Sequence, residues 1–150
     1  MSESLPPTRV LIADDDPQIR DILTELLSDQ GYAVTAVADG QAAVHAAMLE
    51  PFDLCILDYE MPRMTGVEAC AALRQRACTP RMPILFMTGR TDEQSISQAL
   101  GAGASDYLCK PVHAPLLTMR VKNLLLLANL EEKKENLATV VKFNEESEKK

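Results

Sequence analysis

Along the chain, short apolar runs rich in branched side chains alternate with stretches whose apolar residues recur every three or four positions. The runs Arg9 to Ala13, Ala33 to Ala38, Asp53 to Leu57, Pro83 to Met87 and Asp106 to Cys109 read as five strands. Several are apolar at nearly every position, as parallel strands covered on both faces must be, and the short links between elements suit right-handed crossovers. Strands and helices alternating in this way predict an α/β fold: an open parallel sheet sandwiched by helices.

The first helix is the best marked. Asp16 can cap it, Pro17 suits its first turn, Ile19, Ile22, Leu23, Leu26 and Leu27 form one apolar stripe, and Gly31 can end it. A second helix is predicted around Gln41 to Leu49 and a third around Gly66 to Arg76, both Ala-rich with less distinct faces. The fourth carries a Thr91-x-x-Gln94 capping box, apolar Ile96, Ala99 and Leu100, and Gly101 as a stop. From Pro115 the pattern changes: Leu116 to Leu130 reads as a helix, and the charge-dense stretch Glu131 to Lys150 continues it without Gly or Pro. Leu127, Leu130, Lys134, Leu137, Val141 and Asn144 follow alternating three- and four-residue steps. Two alternatives stand for this tail, a short coiled coil and a solvated helix.

At 150 residues, 47% hydrophobic and 25% charged, the composition is that of an ordinary globular protein with room for one domain. Fifteen basic against twenty-two acidic residues leave a net charge of -7, so the chain by itself is a poor partner for nucleic acid. Its apolar stretches fall short of the ~20 residues needed to cross a bilayer, and Met1 to Thr8 lacks the basic start and apolar run of an export signal. A cytoplasmic location without membrane association is expected. Cys55, Cys70, Cys78 and Cys109 form no C-x-x-C or Cys/His cluster, which suits a reducing compartment, and three of them sit in apolar contexts as small core fillers. With aromatics at 4% and no Trp, a stacking platform for bases or flavin has little to build from. His45 and His113 lack any phosphohistidine context and read as surface residues.

In an open parallel sheet the chemistry collects beyond the carboxyl ends of the strands. Asp14, Asp15 and Asp16 follow the first strand, Asp58 the third, Thr88 the fourth and Lys110 the fifth. If those ends are neighbours, several carboxylates, one hydroxyl and one ammonium converge on a single crevice. Like charges so close resist joint ionisation unless a cation intervenes. An all-oxygen donor set favours a hard, partly hydrated ion such as Mg²⁺, with Asp14 and Asp15 as ligands and Asp16 kept as the helix cap. Cations and a hydroxyl around a carboxylate suit phosphoryl transfer, with Asp58 as nucleophile forming an acyl phosphate. Taken singly, each of these acids reads equally well as a turn former or cap.

Val10 to Gln18 (VLIADDDPQ), Leu57 to Gly66 (LDYEMPRMTG), Met87-Thr88-Gly89 and Gly101 to Pro111 (GAGASDYLCKP) occur in an order that closely resembles the receiver domain of bacterial two-component response regulators, from about Arg9 to Asn129. The resemblance implies a flavodoxin-like, doubly wound (βα)5 fold of strand order 2-1-3-4-5 with an extended C-terminal helix. It implies a chain divided into a disordered N-terminus (1–8), a receiver domain (9–129) and a helical linker or short coiled coil (130–150). It further implies that Asp58 accepts a phosphoryl group from a sensor histidine kinase or histidine phosphotransfer protein. The metal, Mg²⁺ or alternatively Mn²⁺, would be held by Asp14, Asp15, a side-chain oxygen of Asp58 and the main-chain carbonyl of Glu60. Lys110 maps onto the lysine that pairs with the phosphoryl group, Thr88 onto the switch hydroxyl and Tyr107 onto the aromatic that turns inward when the hydroxyl moves. The Lys110-Pro111 peptide should be cis. The face of helix 4, strand 5 and helix 5 then signals to a C-terminal output domain or partner, with a homodimer through that face or the C-terminal helix as one arrangement.

On this resemblance the chain is not a turnover enzyme and catalyses only its own phosphorylation and dephosphorylation. Ser105 stands where an acidic residue is common, and Val112-His113-Ala114 replaces a more usual aromatic and acidic start to the last helix. Gly89 leaves access to the phosphoryl group open, and Glu60 and Arg90, flanking the entrance, are expected to tune attack by water. Three rivals differ in chemistry. A pseudo-receiver would only bind partners. An Asp-nucleophile phosphatase of the haloacid-dehalogenase type would use Asp14, but Pro17 follows the acidic run directly, Gln18 replaces its usual hydroxyl residue and these 150 residues leave no room for a cap domain. A flavodoxin needs a hydroxyl-rich phosphate loop where this chain is acidic.

Overall fold

The computed structural model describes residues 6–77, 81–89 and 92–148, with side chains except at 77 and 143–148. Cys78, Arg90 and Thr91 lie outside the described residues, as do 1–5 of the N-terminal segment. Five strands alternate with five helices: β1 Arg9–Ala13, α1 Pro17–Asp29, β2 Ala33–Val37, α2 Gly40–Leu49, β3 Leu54–Asp58, α3 Gly66–Ala72, β4 Ile84–Thr88, α4 Glu93–Gly101, β5 Asp106–Cys109 and α5 Ala114–Glu148. All pairings are parallel, in the order β2-β1-β3-β4-β5. The fold is flavodoxin-like and doubly wound, with the long C-terminal helix.

Because successive strand residues point to opposite faces, the sheet feeds two cores. Leu11, Cys55, Leu57, Ile84 and Phe86 pack with α2, α3 and α4. Val10, Ile12, Leu54, Ile56, Leu85 and Met87 pack with α1 and α5. The central strands β3 and β4 are buried at every position, which explains their unbroken apolar sequence. Both extend one residue beyond the apolar run, so that Asp58 and Thr88 are the last residues of their strands.

The local signals act as capping chemistry predicts at most helix ends. Asp16 accepts a hydrogen bond from Gln18 N and caps α1 with Pro17 behind it. Asp39 caps α2. Thr65 and Glu68 form a reciprocal capping box on α3, which then widens into a π-helical turn at Leu73–Ala77. In that turn Arg74 stitches distant segments together, donating to Gly103 O at 2.7 and 3.0 Å and to Met82 O at 2.5 Å.

Three expectations are corrected. The cap of α4 is Asp92, bonded to Ser95 N, rather than the Thr91-Gln94 box. Its inward residues are Ser95 and Ala99, while Leu100 is 49% exposed; Ser95 can be buried because its hydroxyl is satisfied by the Asp92 carboxylate. On α1, Leu23 and Leu27 are fully buried but Ile22 is 44% exposed, since a stripe that wide cannot all face one sheet. Among the cysteines, Cys55 and Cys70 fill the core and Cys109 is exposed at the end of β5.

Helix α5 spans 35 residues, about 50 Å at 1.5 Å per residue. Leu117 and Val121 are buried and Leu124 and Leu125 pack against the same core, whereas Leu127, Leu130, Leu137 and Val141 are exposed. Glu135 on this helix pairs with Arg81 at 2.5 Å. No helix among the described residues is long and apolar enough to cross a membrane.

Candidate functional site

The carboxyl ends of β1, β3, β4 and β5 lie on one edge of the sheet, and the chain immediately beyond them encloses an open crevice of about 930 Å³ lined by Asp15, Asp58, Glu60, Thr88, Gly89 and Lys110 among others. Backbone bonds hold its walls. Asp14 N donates to Val37 O at 3.2 Å, Tyr59 N to Met87 O at 3.0 Å and Lys110 N to Thr88 O at 2.7 Å, so each loop leaves the sheet tied to the neighbouring strand.

Asp14 is 1% exposed and Asp58 6% exposed. The Lys110 ammonium bridges them, 3.0 Å from Asp14 Oδ2 and 3.1 Å from Asp58 Oδ1. The other oxygen of Asp14 accepts from Asp16 N at 2.9 Å, and its main-chain carbonyl accepts from the Arg20 guanidinium at 2.8 Å. Asp15 is exposed, yet a carboxylate oxygen from each of Asp14, Asp15 and Asp58 lies within 4.8 Å of the others. Three carboxylates against one ammonium leave an excess of negative charge. Burial pushes the Asp58 carboxyl up, the charge of Asp14 adds to this, and Lys110 and the Glu60 N–H offset only part, so it titrates at about 6. For Lys110 burial works downward, but its bonds and attraction to Asp14 and Asp58 outweigh that and hold its proton above the ordinary lysine range. An all-oxygen cluster with this unbalanced charge fits a hard divalent cation.

Glu60 is exposed at the mouth, with its backbone N–H 3.4 Å from Asp58 Oδ1. Thr88 is buried at the end of β4, in register with Cys109. The structure therefore brings Asp14, Asp15, Asp58, Glu60, Thr88 and Lys110 together. Tyr107 is outside the crevice, in register with Phe86 and half-buried against the core shared with α4. The Lys110–Pro111 peptide is cis, and His45 and His113 are exposed.

The family model of the response regulator receiver domain matches residues 10–122. The chain belongs to this family. It is similar to the transcriptional regulatory protein RprY of Bacteroides fragilis, 32% identical over 142 residues that cover 94% of this chain and 59% of RprY. Chemotaxis protein CheY4 of Vibrio cholerae superposes with a TM-score of 0.76 at 33% identity, covering 79% of this chain and 99% of that one. A CheY-like receiver domain protein of Methanospirillum hungatei superposes with a TM-score of 0.78 at 31% identity, covering 84% and 99%. The chain spans about half the length of the curated relatives it matches.

Some members of this receiver's site carry no sequence signal of their own. Arg20 sits among the turns of α1 and shows its purpose only through its bond to the Asp14 carbonyl. Gly66 is required by proximity: a Cβ there would lie 2.2 Å from the Asp58 carbonyl oxygen and 2.8 Å from Phe86 Cε1. At Gly89, in contrast, a Cβ would meet nothing within 4 Å. Arg63, in the same β3–α3 loop, holds a left-handed φ of 69° and pairs with Asp39 at 2.9 Å.

Proposed function

We propose that this receiver domain is a phosphoacceptor switch in which Asp58 takes a phosphoryl group from the phosphohistidine of a sensor histidine kinase or histidine phosphotransfer protein. An Asp58 carboxylate oxygen attacks phosphorus, the new O–P bond replaces the P–N bond, and the donor imidazole leaves. Lys110 offsets charge on the phosphoryl oxygens, and the Thr88 hydroxyl donates a hydrogen bond to one of them. Asp14, Asp15, Asp58 and the Glu60 carbonyl would hold Mg²⁺, or alternatively Mn²⁺. Bound there, the ion supplies charge stabilisation for the phosphoryl oxygens. Movement of Thr88 frees space for the Tyr107 ring, and the surface of α4, β5 and α5 changes with it. Water returning to the acyl phosphate ends the signal, so the chain acts on itself and is not a turnover enzyme.

One observation carries this proposal: Lys110 bridges Asp14 and Asp58 at 3.0 and 3.1 Å inside a crevice that Asp15 and Thr88 share. The test is intact mass after incubation with a small acyl phosphate donor and Mg²⁺, with Asp58→Asn and chelator controls. A single phosphoryl adduct that needs both the metal and Asp58 is expected. No adduct from a folded protein would favour a pseudo-receiver that acts by partner binding alone. An adduct surviving in Asp58→Asn and lost in Asp14→Asn would favour the phosphatase chemistry.

The receiver domain is assigned to 9–129, with 130–150 as a linker toward a C-terminal output domain such as those of transcriptional regulators, working in the cytoplasm. The exposed Leu127, Leu130, Leu137 and Val141 support a homodimer through the C-terminal helix, with the α4, β5 and α5 face as the alternative contact. Sedimentation with and without residues 131–150 tests the helix contact, and two identical monomers would remove it.

A further inference from the structure

Helix α4 has an unusually light hold on the core. Its fully buried residues are only the small Ser95 and Ala99, Ile96 is half-buried and Leu100 faces outward, so little apolar area fixes its position. Ser95 bonds within the helix, its hydroxyl lying 2.8 and 2.9 Å from the two carboxylate oxygens of Asp92. A shallow groove lined by Thr65, Val67, Ser95 and Gln98 separates α4 from Tyr59, the residue after Asp58. Its backbone is clamped on both sides, N–H to Met87 O and carbonyl from Gly66 N, each at 3.0 Å. Its ring lies against that of the fully buried Phe86, with centroids 6.1 Å apart and tilted by 58°. Its hydroxyl donates to Gln98 Oε1 on α4 at 2.7 Å.

We propose that the Tyr59–Gln98 hydrogen bond is a latch coupling the phosphoacceptor loop to α4, separate from the Thr88 and Tyr107 route. Its regulatory meaning rests on Asp58 being the phosphoacceptor. With both backbone groups clamped, Tyr59 cannot absorb a displacement of Asp58 or of the end of β4 by rotating freely. The stiff phenol carries that displacement to Gln98. A helix whose fully buried side chains are two small ones, with Ile96 only half-buried, yields to a force of the size of one hydrogen bond more readily than a helix anchored by several large buried apolar residues. Coupling of this kind is reciprocal: a partner that grips α4 also biases the loop that carries Asp58.

Amide hydrogen exchange on the full chain tests the latch at rest, with Tyr59→Phe and Gln98→Ala as the variants. Tyr59→Phe keeps the ring and removes only the hydroxyl. It is expected to raise exchange in residues 93–101 about fivefold, the change in opening equilibrium for one net hydrogen bond. Gln98→Ala is expected to raise exchange in residues 59–66 by a similar factor, and the double variant to exceed neither single. Effects confined to the element that carries each substitution would overturn the latch, as would additive effects in the double variant. A second arm adds an acyl phosphate donor and Mg²⁺ and follows the adduct by intact mass. In both variants the adduct should form while the exchange response of α4 shrinks at least twofold from the wild type's. An undiminished response would overturn the regulatory role. Absence of an adduct in wild type would instead count against the phosphoacceptor assignment, leaving the resting-state result to decide the latch.

Discussion

The Lys110 ammonium lies 3.1 Å from Asp58 Oδ1, although the two residues come from the ends of different strands far apart in sequence. The same ammonium is shared with Asp14, so the lysine screens two nearly buried carboxylates from one another. Removing it leaves both acids facing each other across the crevice.

Lys110→Ala is therefore expected to lower stability at pH 7.5 by about 2 kcal/mol in metal-free buffer. The full loss for a broken buried pair is reduced here because the lysine is partly exposed. In an Asp58→Asn background the same substitution should cost less than half as much, because one of the two unscreened charges is gone. Urea unfolding of the four proteins checks this, and equal losses in both backgrounds would count against the shared screening.

Asp58 itself opposes folding when ionised. Its carboxyl is pushed up from 3.8 to about 6 by burial and by Asp14, against the pull of Lys110 and the Glu60 N–H. The folded state thus binds this proton more tightly than the unfolded chain. Its contribution is present below the unfolded value and is lost as pH rises through the folded one. At pH 7.5, Asp58→Asn should be more stable than wild type by on the order of 1–3 kcal/mol, with the difference vanishing below about pH 4. Urea unfolding across pH, with chelator present, would show the crossover.

Gly66→Ala places a methyl group against the Asp58 carbonyl oxygen and the Phe86 ring. Backbone on one side and a packed aromatic on the other leave no flexible side-chain end to move, so a loss of about 2–4 kcal/mol is expected. The Gly89→Ala substitution, in open space, should leave stability within about 0.5 kcal/mol. Thermal unfolding of the pair separates local crowding from a general need for glycine at the crevice.

At Arg63, strain and pairing oppose each other. The left-handed φ of 69° disfavours any side chain, while the guanidinium gains the Asp39 carboxylate. Arg63→Gly loses the pair and the strain; Arg63→Ala loses the pair and keeps the strain. The glycine variant should be more stable than the alanine variant by about 1 kcal/mol. The reverse order in denaturant unfolding would show that backbone strain does not govern stability at this position.

Much of this molecule is legible in its sequence. Unbroken apolar runs such as Leu54 to Leu57 announced buried parallel strands, and Asp16 with Pro17 announced the start of α1. The convergence of Asp14, Asp15, Asp58, Thr88 and Lys110 could be foreseen because parallel strands end on one edge of a sheet. Less legible is α4, where Ile96, Ala99 and Leu100 suggest the inward face, yet only Ala99 is fully buried, Ile96 is half-buried and Leu100 is exposed. Asp92 satisfies the Ser95 hydroxyl, and that bond lets a polar residue be buried there.

The sequence by itself determined the alternation of strands and helices, the Asp16 cap of α1 and the identity of the charged groups at the strand ends. These depend on hydrophobic period and on hydrogen bonds between residues three or four positions apart, which are local properties. Only the tertiary structure decided that Lys110 divides itself between Asp14 and Asp58, that Gly66 passes against the Asp58 carbonyl, and that Tyr59 reaches Gln98. Those contacts join segments distant along the chain. Distances of a few Å between such segments follow from how whole elements pack, and no periodicity within one element encodes them.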